Sequence, residues 1–215
     1  MAADETQVGI RRFVVGDIST NCYVVSSGTS CLVVDPGASG AAIAEAIAGE
    51  GLTVEGIVCT HGHHDHVGGV KALRQATGAP YMISAGDDER AQRACELSSH
   101  VFDLSDDSVT DAPAADRTLR EGDTVEVGDL TLTVIEAPGH TEGGIVLMGP
   151  GFALMGDTVF AGSVGRTDLY GGDSVKLAAT IARLKGLIDP DTGLLCGHGP
   201  ETTMARELAT NPWFR

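Results

Sequence analysis

Short apolar runs bounded by Gly, Pro, Asn, Asp or Ser recur along this chain, and each predicts a strand. The first are residues 8–15, 22–26 and 31–35, the last ending in the turn signal Asp35-Pro36-Gly37. The pattern then changes period. An Ala-rich stretch places Ile43 and Ile47 four apart, which predicts a helix over 40–50 with Ser39 as its N-cap. A strand over 54–60 follows, then a helix over 67–77 that turns Val70 and Leu73 inward and Lys71 and Arg74 outward. Residues 87–98 predict a further helical segment.

The second half repeats the scheme. Gly128-Asp129 separates apolar runs at 123–127 and 130–136 and has the length of a tight hairpin turn. Gly149-Pro150-Gly151 separates strands at 145–148 and 152–155, residues 174–188 carry a helical apolar face, and 194–196 form another strand. Strands with intervening helices predict an α/β protein with two sheets, although periodicity alone is compatible with several such layouts. With 215 residues, 42% of them hydrophobic, the chain suits one well-buried core, so residues 1–215 are expected to form one domain.

Candidate chemistry is concentrated after the strand at 54–60. In Thr60-His61-Gly62-His63-His64-Asp65-His66, four metal-binding side chains, His61, His63, Asp65 and His66, fall within six positions. Imidazole and carboxylate suit zinc, iron or manganese, and this alternation can direct two ligand pairs toward two neighbouring ions. His140, Asp157 and His198 each follow a short apolar run and lie in Gly-containing loops, so strand ends could bring them to the same rim.

The pattern resembles the metallo-β-lactamase superfamily, whose signature is HxHxDH followed by a distant His, an Asp and a last His. All seven positions match in order over nearly the whole chain. The segments Pro138-Gly139-His140-Thr141, Gly156-Asp157-Thr158, Gly165-Arg166-Thr167-Asp168 and Gly197-His198-Gly199-Pro200 are most similar to the glyoxalase II-like group, as is the ending Asn211-Pro212-Trp213-Phe214. The resemblance implies a four-layer αββα sandwich. It also implies one metal held by His61, His63 and His140, a second held by Asp65, His66 and His198, and Asp157 bridging them. Two divalent ions, most commonly zinc with iron or manganese as alternatives, would share a hydroxide and polarise a carbonyl, while Asp65 helps orient the nucleophile. The reaction implied is hydrolysis of an acyl thioester of hydroxyacyl-glutathione type. Lactone hydrolysis is a related possibility, and a metal-dependent binding or redox module is the non-enzymatic one.

Gly165-Arg166-Thr167-Asp168 also resembles persulfide dioxygenases, in which residues matching His61, His140 and Asp157 would hold a single iron. Within the Gly-rich segment 162–173, two readings stand: Arg166 pairs locally with Asp168, or Arg166 orients a substrate carboxylate and Tyr170 lines the pocket. Only 17 residues follow His198, so the C-terminal helical domain that glyoxalase II uses in glutathione binding is expected to be absent. That leaves the thiol unidentified.

Other residues invite blander readings. His64 occupies a variable motif position and is expected behind the ligands or on the surface, and His100 is expected to be solvated. Cys59 and Cys196 each end an apolar strand and are expected to pack in the core. The five cysteines form no close pairing motif and, with an N-terminus lacking a signal-like apolar stretch, predict a cytoplasmic enzyme with reduced thiols. Asp at position 157, where some secreted β-lactamases have Cys, disfavours antibiotic hydrolysis. A formal net charge of −16 disfavours nucleic-acid partners, and no apolar run suits a membrane span. Residues 87–116 carry nine acidic side chains against Arg90 and Arg93 and are expected to be solvated surface with room for a capping loop. Nothing in the sequence sets the oligomeric state.

Overall fold

The computed structural model of the protein describes residues 8–102 and 104–215; the N-terminal segment used above to argue localisation lies outside them. The first sheet has six strands in chain order: β1 (Val8–Val15), β2 (Thr20–Ser27), β3 (Ser30–Val34), β4 (Thr53–Val58), β5 (Tyr81–Ser84) and β6 (Arg117–Leu119). Its first three strands form an antiparallel meander, and β3 to β6 run parallel. Parallel neighbours need a crossover, supplied by α1 (Gly40–Gly49) between β3 and β4 and by α3 (Val70–Thr77) between β4 and β5. A one-turn helix, α2 (His64–Val67), precedes α3, and α4 (Asp88–Ala91) and α5 (Ala94–Ser98) follow β5.

The second sheet runs β14-β13-β10-β9-β8-β7, from β7 (Thr124–Val127), β8 (Leu130–Glu136), β9 (Ile145–Gly149), β10 (Phe152–Gly156), β13 (Gly193–Cys196) and β14 (Thr202–Thr203). A small hairpin of β11 (Val159–Phe160) and β12 (Ser163–Val164) follows β10. The parallel step from β10 to β13 is bridged by α6 (Ser174–Leu187), with α7 (Met204–Thr210) and a 3₁₀ turn closing the chain.

Alternation along the strands separates three apolar layers. Cys22, Val24, Cys31, Val33, Ile57 and Cys59 face α1 and α3, where they meet Ile43, Ile47, Val70 and Leu73. Their neighbours Tyr23, Val25, Leu32, Val34 and Val58 face the second sheet and meet Leu132, Val134, Leu147 and Leu154. Beyond that sheet, Val146, Ala153, Met155 and Leu194 pack on Leu177, Ile181 and Leu184 of α6. The result is the four-layer αββα sandwich. Among the described residues no helix is long and apolar enough to cross a membrane.

Several expected boundaries moved. The helix expected over 67–77 is broken at Gly68 and Gly69, because the Gly69 amide donates to Pro36 O at 2.7 Å instead of continuing the helical ladder. A Cβ at Gly69 would approach Pro36 O within 2.6 Å, so this close packing requires glycine. Ser39 does not cap α1 with its side chain. Its backbone is left-handed, φ 56°, whereas a side-chain N-cap needs extended backbone. The helix expected over 87–98 splits into α4 and α5, because Ala112 N takes the Ala91 carbonyl at 3.0 Å and the Asp111 carboxylate takes Cys95 N at 2.7 Å.

Leu132 is fully buried between the sheets. Leu132→Ala should therefore lower unfolding free energy by about 2–5 kcal/mol, against less than about 0.5 kcal/mol for Val175→Ala on the exposed face of α6. Urea titration measures both; equal effects would contradict the layer assignment.

Candidate metal centre

All seven candidate ligands lie on segments that leave strand ends at one rim of the sandwich, five on loops and Asp65 and His66 on α2. After β4 the chain bends at Thr60 and His61 and is extended at His63, and α2 then turns Asp65 and His66 back toward them, its first turn closed by Val67 N donating to His63 O at 3.1 Å. His140 follows β8, Asp157 follows β10 and His198 follows β13. The two sheets are tied at this rim. Ile145 N donates to Thr60 O at 2.8 Å, Asn21 N to Gly197 O at 2.7 Å, and the Asn21 amide and Tyr23 hydroxyl both donate to Cys196 O.

Three sets of ligand atoms converge, each within 4.8 Å: His61, His63 and His140; His61, His66 and Asp157; and Asp65, His66 and His198. His63 Nδ1 lies 3.1 Å from His61 Nε2 and 3.0 Å from His140 Nε2. The Asp157 carboxylate stands between the groups, 3.4 Å from His140 Nε2, 3.3 Å from His66 Nε2 and 3.6 Å from His198 Nε2. Asp65 Oδ2 lies 3.2 Å from His66 Nε2 and 3.1 Å from His198 Nε2.

These donors fit divalent ions. His66 Nε2 and Asp157 Oδ1 are buried with no hydrogen-bond partner among the described residues, a costly arrangement that coordination would relieve. Burial, with the neighbouring histidines, holds His61 well below its ordinary pKa and His63 at about 3, so both are neutral imidazoles, the form that binds metal. At His66 burial pulls the other way but is outweighed by Asp65, Asp157 and Asp35, which raise its pKa well above the usual value. The carboxylates thus create a demand for positive charge at the centre.

The outer ring nitrogens are fixed by groups absent from the seven-residue motif. Asp35, buried at left-handed φ 54°, accepts from Thr60 N and Thr60 Oγ1, both at 2.7 Å. With its hydroxyl proton so committed, Thr60 Oγ1 accepts from His61 Nδ1 at 3.1 Å, which leaves His61 Nε2 facing the centre. Asp35 Oδ2 also lies 2.9 Å from His66 Nδ1. His140 Nδ1 donates to Arg166 O at 2.7 Å, and Thr20 Oγ1 donates to Asp65 Oδ2 at 2.8 Å.

A second brace comes from the segment expected to be solvated surface. Asp87 is fully buried, accepting from Gly62 N at one oxygen and Gly143 N at the other, both at 2.8 Å. Arg90, also buried, lies 3.6 Å from Asp87 and donates to Tyr170 O at 2.6 Å. Asp87 therefore joins the loop of His61 and His63 to the loop of His140, and Arg90 adds the glycine-rich loop. The signal in the sequence was an acidic residue followed three positions later by Arg, too common to single out.

The centre opens into a cavity of about 410 Å³ walled by Ile18, Phe102, Phe160, Val164 and Leu169. Arg166 lines it too, its guanidinium held by both oxygens of Asp168 at 2.6 and 2.8 Å. Tyr170 is 72% exposed, with its ring against Arg90 rather than among the cavity walls. His64 is buried, bonds Ser98 Oγ at 2.9 Å and lines the cavity without joining a ligand set. His100 is exposed. Cys59 and Cys196 are buried free thiols outside the ligand sets, and burial raises the pKa of both.

Because Asp87 holds only the loops of the three-histidine set, Asp87→Asn should weaken one metal site selectively, since its NH₂ would oppose a backbone N–H. Calorimetric metal titration should show one affinity lowered about 10- to 100-fold and the other retained. Equal weakening at both sites, with unchanged folding, would contradict this role.

Known proteins resemble this chain over most of its length. The metallo-beta-lactamase superfamily model matches residues 15–199. The probable metallo-hydrolase YqgX of Bacillus subtilis is 33% identical over 207 residues, covering 95% of this chain and 96% of its own. The hydroxyacylglutathione hydrolase GloC of Haemophilus influenzae is 28% identical, covering 90% and 92%. Among solved structures, BLEG-1 B3 metallo-beta-lactamase superposes with a TM-score of 0.86 at 31% identity, covering 96% of this chain and 99% of its own. A di-iron-bound form of TTHA1623 superposes at 0.84 with 32% identity, covering 94% and 99%. By sequence model, by fold and by the residues gathered at its rim, the chain belongs to the metallo-beta-lactamase superfamily.

Proposed function

We propose that the protein is a hydrolase of small acyl thioesters, of hydroxyacyl-glutathione type, working with two divalent ions. The observation that carries this reading is the paired donor arrangement on the floor of an apolar cavity: a three-histidine set beside a carboxylate-rich set, with Asp157 between them. The name of GloC supports the substrate class. His61, His63 and His140 would hold one ion, Asp65, His66 and His198 the other, and Asp157 both. Zinc is the assigned metal, and the di-iron form of TTHA1623 makes iron the alternative to test. Five free thiols support a cytoplasmic location.

When bound, such ions acidify water toward a pKa of about 7 and polarise the acyl carbonyl. The chain's own groups do the rest. Thr20 fixes the Asp65 carboxylate, which aligns the attacking water and can accept its proton. Phe160, Val164 and Leu169 exclude bulk water around the acyl group, and Arg166 stands where a hydroxyl or carboxylate of that group could meet it. A thiolate, with a parent thiol pKa near about 8.5, leaves without needing a strong acid beside it.

Zinc-loaded protein should cleave a hydroxyacyl thioester equally in air and under argon, chelation should abolish turnover, and Asp65→Asn should lower kcat by about 10²–10⁴-fold with Tm little changed. Iron-dependent oxygen uptake with a persulfide and negligible thioester cleavage would replace this reading with a dioxygenase. Faster turnover of a lactone or β-lactam would move the substrate class instead.

A further inference from the structure

The hairpin of β11 and β12 belongs to neither six-stranded sheet, yet it walls the cavity. Its strands share two ladder pairs, Val159 with Val164 and Phe160 with Ser163, and it contributes Phe160, Ser163 and Val164 to the lining. The Phe160 ring lies 6.0 Å from that of His198. So short a hairpin has little stability of its own, and its position must come from what holds it.

The holder is the C-terminal segment. Glu207 on α7 is fully buried, and its carboxyl oxygens accept from Gly162 N at 2.8 Å, from Thr202 Oγ1 at 2.6 Å and from Asn211 Nδ2 at 2.8 Å. The buried Asn211 side chain donates in turn to Ser163 O at 3.0 Å. Gly162 turns the hairpin at φ 78° and Ser163 opens β12, so the pair grips both the turn and a strand. Phe214 packs in the same apolar layer as Val159 and Val164. Glutamate is rarely buried this deeply without a cation, and the groups bonded to this one are all uncharged. An apolar residue would pack α7 at lower cost; what the carboxyl adds is the bond to the hairpin turn.

We propose that Glu207 and Asn211 are positioning residues for substrate selection: by clamping the β11–β12 hairpin they set where Phe160 and Val164 stand, and with them the length of acyl chain the cavity accepts. This rests on the thioester reading, with the acyl group against that wall. A slackened hairpin would let the wall retreat, removing contacts from a short acyl group and admitting a longer one. None of the seven candidate ligands lies on the hairpin, so the chemical step changes less than binding does.

The test uses metal-loaded protein with the hydroxyacetyl and hydroxyhexanoyl thioesters of glutathione, which keep the leaving thiol constant. In Glu207→Leu the short-to-long ratio of kcat/KM should fall roughly three- to tenfold, at or below the about tenfold that one methylene is worth in an apolar pocket, mainly through a raised KM for the short ester. Glu207→Gln should keep the wild-type ratio. Its carbonyl can accept from Gly162 N and Asn211 Nδ2, and its amide can donate to the Thr202 hydroxyl, which rotates to accept. Asn211→Ala cuts only the bonds of that side chain, should lower the ratio in the same direction, and serves if Glu207→Leu does not fold. Leu132→Ala, which loosens the layer between the sheets, should leave the ratio unchanged. An unchanged ratio in folded Asn211→Ala, or an equal fall in Leu132→Ala or Glu207→Gln, would overturn the clamp while leaving the thioester reading intact. No hydrolysis of either ester by wild type would overturn both.

Discussion

The structure depends on accommodating buried carboxylates and imidazoles at the seam of two sheets. Asp35, Asp65 and Asp157 lie within a few ångströms of His66, and all are largely removed from water. Charge buried without compensation costs several kcal/mol per group. These carboxylates raise the His66 pKa well above its usual value against the effect of burial, and divalent ions would answer their charge more completely. The same donors are therefore a burden on folding and the source of reactivity.

The site also inherits its geometry from the sandwich. Its ligands come from both sheets, so their spacing is set by the apolar layer between them and by the rim bonds from Asn21, Tyr23 and Ile145. Asp35 and Asp87 act one step out: the first fixes the His61 ring through Thr60, the second fixes the backbone between His61 and His63. Loops can carry these ligands because their conformations are over-determined by hydrogen bonds to buried carboxylates.

Much of this was legible in the sequence. The histidine run is dense enough to stand out, and short apolar strands followed by glycine loops indicated where His140, Asp157 and His198 would emerge. The α/β class and most strands followed from periodicity, while β5, β6 and the short β11, β12 and β14 lacked runs long enough to read. What the sequence could not show was long-range. Asp87 and Arg90 looked like solvated acidic surface because their partners, Gly62, Gly143 and Tyr170, are distant in the chain. Ser39 looked like a cap because local rules do not foresee the packing of Gly69 against Pro36 and Ala38 that fixes the start of α1. Phe102 became a cavity wall through the same kind of distant contact, with His64.

The central claim is that one carboxylate joins two metal sites built from the two halves of the chain. Elemental analysis of metal-replete protein, with Asp157→Asn measured alongside, addresses it most directly. Close to two transition-metal ions per wild-type chain, with loss at both sites in the variant, is the expected result. A single tightly held ion, unaffected by the substitution, would contradict the account.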